Sequence, residues 1–558
     1  MSKRERLQFF FTWLFLGLVP LFLRPLWEPD EARYSEIPRE MLALGDWLTP
    51  RLNHVLYFEK PPLQYWLSAV SMKLFGVNAI APRLPLALAT FITMGAAFLL
   101  ARRLGARRPI WAAFMAASTI LGFVSAQILT LDALFSAFLV ASFVLAVEAV
   151  AARYHGRSSL GWTLAAFLSV ALALLTKGLA APVLLGGIIL ASLPFAWSDA
   201  KLRRIVVGTL FNPFGWLVFL AVSTPWFWLV EKANPGHAQF FFIHEHFARF
   251  TSNVHARQGA KNPVADKLYF VGVLLVGLLP WLSTTVVGLK RGGAFVLRRK
   301  GPQAEGAVLH RWIVAVTLMA FAVPLMFFSL SGSKLTQYIL PVLVPLLALA
   351  CALEREGEEP AALRRHGFEL LFLGVAFAFL APFLLKTPTG LPWILATGGS
   401  FLLLGFWALR PTGLTAERWM AGITVALLLF SLAAKATVEK DKSTAPLIAK
   451  APANAQWISA GYYFQNLPYR TGQRVIIVGG TGELAFGKKA LAPAEQEHWF
   501  REELHDLLSV AQSLRTQDPS RPVWALIDVD AWSKLAPQER GVWEVVDRSR
   551  AALLVRLR

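Results

Sequence analysis

The stretch WEPDEARYSEIPREMLALGDWLTPRLNHVLYFEKPP (Trp27–Pro62) follows the first apolar segment and decides how the rest of the chain is interpreted. It holds two adjacent carboxylates, Asp30 and Glu31, and it ends on the charged pair Glu59-Lys60 before two prolines. Ionisable residues near membrane depth are costly, which makes them functional candidates. We therefore expect the rest of the chain to bring further polar residues to this loop.

The composition is that of a polytopic membrane protein. Of 558 residues, 56% are hydrophobic and 16% are charged, with a mean hydropathy of +0.50. These values exclude an ordinary soluble enzyme. The net charge of +20 is attributed mostly to inner loops rich in lysine and arginine, and a few of these residues are expected to bind anionic ligands. The single cysteine, Cys351, excludes an internal disulfide framework or a cysteine zinc site.

Thirteen apolar segments are long enough to predict membrane crossings. They lie at 8–25, 80–101, 109–127, 131–150, 160–175, 178–196, 206–230, 266–288, 312–330, 336–352, 367–385, 390–408 and 418–435. The first has a basic start and no small-residue cleavage site, so it is interpreted as a retained signal anchor. Arginine and lysine alternate between the connecting loops, which places the N-terminus inside. Segments 30–44 and 61–76 are predicted to be interfacial helices in the first outer loop.

Two domains are predicted. Residues 1–435 form the transmembrane catalytic domain, with outer loops at 26–79 and 231–265. Residues 436–558 form a small soluble α/β domain on the outer side. The tail is expected to contain strands at 474–480 and 522–529, a helix at 498–514 and strand pattern in 543–557. The run GGTGEL (479–484) lacks the GxGxxG spacing and is interpreted as a plain turn.

Under this topology the unusual polar residues fall on the outer side, and this one-sidedness predicts an external site. They are Asp30, Glu31, Glu59, Lys60, Asp132, Lys177, His244, Glu245, His246, Arg249, Lys334 and Tyr338. Structural explanations compete for each of them. The acids could begin helices or pair with a cation, the lysines could snorkel to headgroups, and Tyr338 could be an interfacial aromatic residue.

The set suits transfer of a sugar from a lipid phosphate. Cations such as Lys60, Lys177, Arg249 and Lys334 would stabilise a leaving phosphate. A carboxylate would deprotonate a hydroxyl acceptor, or would position the sugar if the acceptor is already an anionic phosphate. Glu59, His244 and His246 are a candidate set of ligands for a divalent metal ion, Zn²⁺ or Mg²⁺.

Six motifs in order carry a resemblance to a known family. PDEARYSEIPREM, FEKPPLQYW, TLDALFSAF, TKGLAAPVL, FFIHEHFARF and SGSKLTQYILP resemble the bacterial branch of the dolichyl-phosphate-mannose protein mannosyltransferase superfamily, and most closely its lipid A aminoarabinose transferases. The resemblance covers roughly the first 350 residues. It departs from the family pattern at Thr336-Gln337.

The resemblance implies an all-α membrane protein with the C-type glycosyltransferase fold. It implies Asp30 and Asp132 as catalytic residues, Lys60 facing the lipid phosphate, and Arg249, Lys334 and Tyr338 lining the same site. Glu31 and Lys177 complete the predicted substrate contacts.

The implied reaction is an inverting transfer of 4-amino-4-deoxy-L-arabinose from undecaprenyl phosphate to a lipid A phosphate. This modification would reduce the negative charge of lipopolysaccharide and give resistance to polymyxin. The expected protein is a monomer of the bacterial inner membrane with a periplasmic site, no organic cofactor and no nucleic-acid partner. Two alternatives stay open. One is a transferase of mannose or an amino sugar to protein or glycan, and the other is a flippase, which would place its site at mid-bilayer between inverted repeats.

Overall fold

The structure is a computed structural model that describes residues 1–197, 199–248, 263–297, 306–384, 390–410 and 415–558. The side chains of residues 244, 246–248, 380–384, 416 and 440 lie outside this description. Arg249 therefore lies outside the described residues, as do the side chains of His244 and His246.

Helices dominate the first 441 residues. They are Lys3–Phe22, Asp30–Leu44, Leu63–Phe75, Ala81–Arg103, Ile110–Ser118, Ile120–Ser125, Leu131–Tyr154, Leu160–Lys177, Ala180–Ala196, Ala200–Leu210, Pro213–Ala233, Gln239–Ala248, Pro263–Lys267, Tyr269–Gly277, Leu282–Leu297, Ala307–Leu330, Thr336–Ala352, Glu359–Leu384, Leu391–Leu409 and Ala416–Asp441. Among the described residues, eight helical segments are long and apolar enough to cross a membrane. The count is nine if Tyr269–Gly277 and Leu282–Leu297, which are bent by 119°, form one span. The chain is a multi-pass membrane protein, and the number thirteen stays a prediction.

Several predicted spans are shorter or broken in the structure. The segment 109–127 is two helices, because Thr119 is extended and its side chain begins the second helix by accepting from the backbone N–H of Gly122. The segments 178–196 and 336–352 appear as the shorter apolar helices Ala180–Ala196 and Thr336–Ala352. The last span continues to Asp441, six residues past the predicted domain boundary.

Ion pairs join the arginine-rich segments on one face of the bundle. These pairs are Arg4–Glu417, Arg107–Glu356 (2.7 Å), Arg108–Glu359 (3.3 Å) and Arg291–Glu358 (2.6 Å). These pairs involve the N-terminus and the segments that contain Arg107, Arg291, Glu358 and Glu417, which are predicted inner loops. We call this end of the bundle the arginine-rich face.

The first loop forms the two predicted helices, Asp30–Leu44 and Leu63–Phe75. Gly45 ends the first helix at φ 67°, in the left-handed region that glycine adopts without steric cost. A short antiparallel hairpin lies between them, with β1 (Arg51–Leu52) paired to β2 (Val55–Leu56). The helix Asp30–Leu44 is buried on nearly all sides, because the C-terminal domain covers it.

The C-terminal domain has six strands: β3 (Gln456–Ala460), β4 (Ile476–Val478), β5 (Phe500–Arg501), β6 (Val523–Asp528), β7 (Trp543–Arg548) and β8 (Ala552–Leu557). They form one mixed sheet in the order β5-β4-β3-β6-β8-β7. Its helical segments are Ala445–Ile448, Asn466–Thr471, Gly482–Leu484, Ala485–Lys489, Pro493–Trp499, Asp506–Gln517, Val529–Lys534 and Pro537–Gly541. The β3, β4, β5 and β6 pairings are parallel, and β8 pairs antiparallel with β6 and β7.

One prediction for this domain is wrong in detail. The segment 498–514 is not one helix, because buried Phe500 joins the sheet edge beside β4 and the helix begins only at Asp506. The strand pattern predicted in 543–557 is confirmed, as a hairpin of the two strands β7 and β8. The central strand β3 was missed.

The C-terminal domain docks closely on the first loop. The Asn53 side chain donates to the carbonyl of Val475 and accepts from its N–H, both at 3.0 Å. A Cβ at Gly487 would lie 2.4 Å from the carbonyl oxygen of Leu56, so only glycine allows this approach. The Glu28 carboxylate accepts from the Thr444 hydroxyl at 2.8 Å and from the backbone N–H of Asn466 at 3.0 Å. These contacts place residues 479–489 beside the predicted site.

Candidate functional site

Asp30 is held at the start of its helix by Arg33, one turn later. The Arg33 side chain is buried, and the Asp30 side chain is 47% exposed, so the carboxylate is available to a ligand. The other arm of the Arg33 guanidinium pairs with Glu483, which also accepts from Gln465 Nε2 at 2.6 Å. Burial alone would lower the pKa of Arg33, but Glu483, followed by weaker contributions that include Asp30, raises it well above the ordinary value.

Asp132 and Lys177 form an ion pair that joins the start of helix Leu131–Tyr154 to the end of helix Leu160–Lys177. Both side chains are largely buried. The Lys177 ammonium also lies 3.8 Å from the centre of the Tyr338 ring. A cation over an aromatic face is attracted by the ring electrons. Three predicted site residues from three separate helices therefore meet at one point.

Lys60 lies at the end of the first loop, where its ammonium contacts Glu245 at 3.3 Å and the carbonyl of Glu59 at 2.7 Å. Glu245 belongs to helix Gln239–Ala248, so this contact connects the first loop with the segment that precedes Arg249. Beside it, the rings of Phe240 and Phe486 lie 4.0 Å apart. Through Phe486, the C-terminal domain packs against helix Gln239–Ala248.

Lys334 is buried and its ammonium is already engaged. It contacts Asp266 at 2.7 Å and the carbonyl of Ser331 at 2.6 Å. The next turn of the same segment carries Tyr338, which reaches Lys177. In this arrangement Lys334 fixes the segment that presents Tyr338.

Glu31, which we predicted to contact the substrate, has both carboxylate oxygens engaged by protein groups. It is fully buried, and both oxygens accept from two buried arginines: Arg24 at 2.5 and 2.9 Å, and Arg83 at 2.7 and 3.1 Å. The backbone N–H groups of Trp27 and Leu129 donate to it as well. Burial alone would raise the pKa of Glu31, but the two arginines lower it to about 2. The charge of Glu31 therefore ties the first loop to the helix bundle.

Three of the predicted acids affect the pKa of one buried side chain, that of Tyr34. Burial raises the pKa of Tyr34, with further increases from Asp30, Glu59 and Asp132 and an opposing effect of Arg33. The carboxylates at positions 30, 59 and 132 therefore lie within electrostatic range of one tyrosine. The structure brings Asp132, Lys177 and Tyr338 into contact, and the roles predicted for these residues and for Asp30 and Glu59 stay predictions.

The predicted metal site stays a prediction. Within the described part of the chain, no three metal-ligating side chains come together. Glu59 is described and half-buried, but the side chains of His244 and His246 are outside that part.

Two residues of the site were missed by the sequence analysis. Arg33 was not among the predicted site residues, yet it pairs with Asp30 and Glu483. Glu483 lies in the GGTGEL run, which was interpreted as a turn. The last three residues of this run form the short helical segment Gly482–Leu484, which brings the carboxylate to Arg33 in the first loop, 450 positions away in sequence.

Comparison with known proteins shows which family the chain belongs to. The dolichyl-phosphate-mannose-protein mannosyltransferase family matches residues 4–235. An undecaprenyl phosphate-alpha-4-amino-4-deoxy-L-arabinose arabinosyl transferase of Proteus mirabilis is 30% identical over 74% of this chain and 71% of its own length. The corresponding protein of Erwinia tasmaniensis is 32% identical over 70% and 68%. The chain belongs to this arabinosyl transferase family. It spans only 65% of the length of a Pseudomonas fluorescens relative, to which it is 33% identical.

The solved structures agree with the family assignment. The crystal structure of ArnT from Cupriavidus metallidurans bound to undecaprenyl phosphate is similar over 100% of this chain and 98% of that one. Its TM-score is 0.77 and its sequence identity is 25%. This match confirms the predicted C-type glycosyltransferase fold, and it includes the C-terminal domain, for which the sequence offered no motif. The similarity of fold therefore extends along the whole chain.

Proposed function

We propose that this protein transfers 4-amino-4-deoxy-L-arabinose from undecaprenyl phosphate to a phosphate of lipid A. One observation carries the proposal: Asp132 and the Tyr338 ring hold the Lys177 ammonium at a point where three helices meet. A fixed cation next to a fixed anion suits a reaction in which a phosphate leaves and positive charge develops on a sugar. The names of the relatives and of the Cupriavidus structure supply the sugar and the lipid carrier.

The chemistry requires one bond to form as another breaks. An oxygen of the acceptor phosphate attacks the anomeric carbon, while the bond from that carbon to the undecaprenyl phosphate oxygen breaks with inversion. The leaving phosphate takes the electron pair, and Lys60 and Lys177 are placed to neutralise it. An ionised acceptor phosphate needs no strong base.

The carboxylates have the complementary role. Asp30 is the more exposed one, and Arg33 orients it from behind. It is suited to bind the amine of the sugar and to stabilise positive charge at the anomeric carbon. Asp132, which is nearly buried, acts through Lys177 by fixing the position of its ammonium. We further propose that the site faces the periplasm from the inner membrane, that the protein acts as a monomer, and that the modification gives resistance to polymyxin.

The test is lipid A mass spectrometry in a bacterium that makes the donor but lacks its own transferase. Cells with the wild-type protein should show a pentosamine increment on lipid A, and Asp30→Ala and Lys60→Ala should remove it. Asp46→Asn is the matched control, because Asp46 lies in the same loop but contacts the backbone N–H groups of Leu48 and Thr49 and the side chain of Arg51, none of which is a predicted site residue. An increment of another sugar, or unmodified lipid A with the protein present in the membrane, would contradict the proposal.

A further inference from the structure

A cavity lies at the arginine-rich face, and its lining includes none of the site residues described above. Its volume is about 130 Å³. Trp111, Trp281, His366 and Trp419 line its inner part, and Arg107 and Arg108 belong to the loop at its edge. These residues come from four separate segments, which makes the cavity a junction of the bundle.

Two buried ring nitrogens that line this cavity have no hydrogen-bond partner within the described part of the chain. One is Nε1 of Trp419, a fully buried indole that can only donate. The other is Nδ1 of His366, which is 5% exposed. Its Nε2 lies 3.0 Å from the Thr284 hydroxyl. If that hydroxyl donates, Nδ1 carries the proton and is a second donor.

The nearest carboxylate does not satisfy His366. Glu369 lies 3.9 Å from Nδ1, beyond hydrogen-bond distance. Its oxygens accept instead from the backbone N–H groups of Leu282 and Ser283, at 3.1 and 2.6 Å. Buried donors in native proteins nearly always have an acceptor, so each exception needs an explanation. A bound molecule with acceptor oxygens would supply one.

The charges at the opening suit an anion. Arg107 and Arg108 pair with Glu356 and Glu359 in exposed contacts, which contribute little and exchange readily with another anion. Glu354 also lines the cavity, and burial, with the nearby Glu359, raises its pKa. Glu354 therefore becomes neutral more easily than an ordinary glutamate and repels an anion less.

We propose that this cavity binds the phosphate of a phospholipid headgroup from the leaflet on the arginine-rich face. Trp419 lies near the start of the spanning helix Ala416–Asp441, at the depth where tryptophan meets headgroups. Basic cavities between helices on the inner side are a known way to hold anionic headgroups. The lipid would bridge the segments that carry Arg107, Thr284, His366 and Trp419. This proposal is independent of the reaction at the opposite face.

The test is thermal unfolding of the full-length protein after its own lipids are removed in detergent. Phosphatidylglycerol should raise the unfolding temperature, and diacylglycerol with the same acyl chains should not. Trp419→Phe removes one donor to a charged group and should weaken the response to phosphatidylglycerol by about tenfold in lipid concentration. Trp312→Phe is the matched control, because Trp312 is also buried with an unpaired Nε1 but lines a different, apolar cavity.

Equal responses of Trp419→Phe and Trp312→Phe would overturn the proposal, as would equal effects of the two lipids. Inorganic phosphate alone giving the full shift would also overturn the lipid assignment. Arg108→Gln provides a second variant at the exposed edge, where folding is not at risk. Native mass spectrometry should show less phosphatidylglycerol retained on Arg108→Gln than on the wild type, and equal retention would count against the proposal.

Discussion

Glu483→Gln tests how the C-terminal domain acts on the catalytic loop. Glu483 and Asp30 hold the two arms of one buried guanidinium, Arg33. Removing a partner from a buried ion pair costs about 3–5 kcal/mol. Glutamine keeps an acceptor for Arg33, so only the difference between a charge-assisted and a neutral hydrogen bond is lost, about 1–1.5 kcal/mol.

With Glu483 neutral, Asp30 becomes the main counter-ion of Arg33 and is drawn toward it, away from the substrate. If the whole energy difference is lost from the stabilisation of the transition state by Asp30, the transfer rate falls about tenfold. We expect kcat to carry the loss and KM for the lipid donor to change little, because the cations that face the phosphate are untouched. Glu483→Asp, which keeps the charge, should recover part of the rate.

The assay is transfer from the purified lipid donor to lipid A in nanodiscs, with the unfolding temperature measured in parallel. Glu502→Gln is the control, since Glu502 makes an exposed pair with Lys488 in the same domain. A wild-type kcat in Glu483→Gln would refute the reasoning. So would a loss of rate that is fully explained by unfolding.

Three further predictions follow from the same contacts. Asp132→Asn should release the Lys177 ammonium and lower the transfer rate about 100-fold with the fold intact, as circular dichroism would check; an unchanged rate would contradict the role given to the pair. Glu31→Gln should lower stability by about 3–5 kcal/mol by leaving two buried arginines without their anion. In the wild type this contribution is complete above pH 4.5 and is lost as the pH falls toward 2, which unfolding temperatures across pH would show. Burial raises the pKa of Glu28 to about 7, so the folded state binds the extra proton and stability should rise as the pH falls from about 8 to 5. Glu28→Gln should flatten that profile, and an unchanged slope would count against it.

Local features of the fold were predictable because short-range chemistry sets them. The helix Asp30–Leu44 was predicted with its observed ends, since Pro29 and Gly45 bound it. The segment 498–514 was misassigned because its hydrophobic pattern fits a helix. Only pairing with β4 makes Phe500 part of a strand.

The sequence could predict which residues are candidates for the site, but not which of them contact each other. Charge alternation placed Asp132, Lys177 and Tyr338 on one side, but their meeting depends on how three helices pack. The same is true of Glu483, whose partner Arg33 lies in another domain. Glu31 looked like a substrate ligand because the sequence gives no sign that Arg24 and Arg83 converge on it.

The most direct test of the central claim is transfer by the purified protein of radiolabelled aminoarabinose from undecaprenyl phosphate to lipid A. The wild type and the loop control Asp46→Asn should both form labelled lipid A. Asp30→Asn should be at least about 100-fold slower, with a residual rate that reflects an acceptor phosphate needing no strong base. Labelled product from Asp30→Asn at the wild-type rate, or none from the folded wild type, would contradict the account.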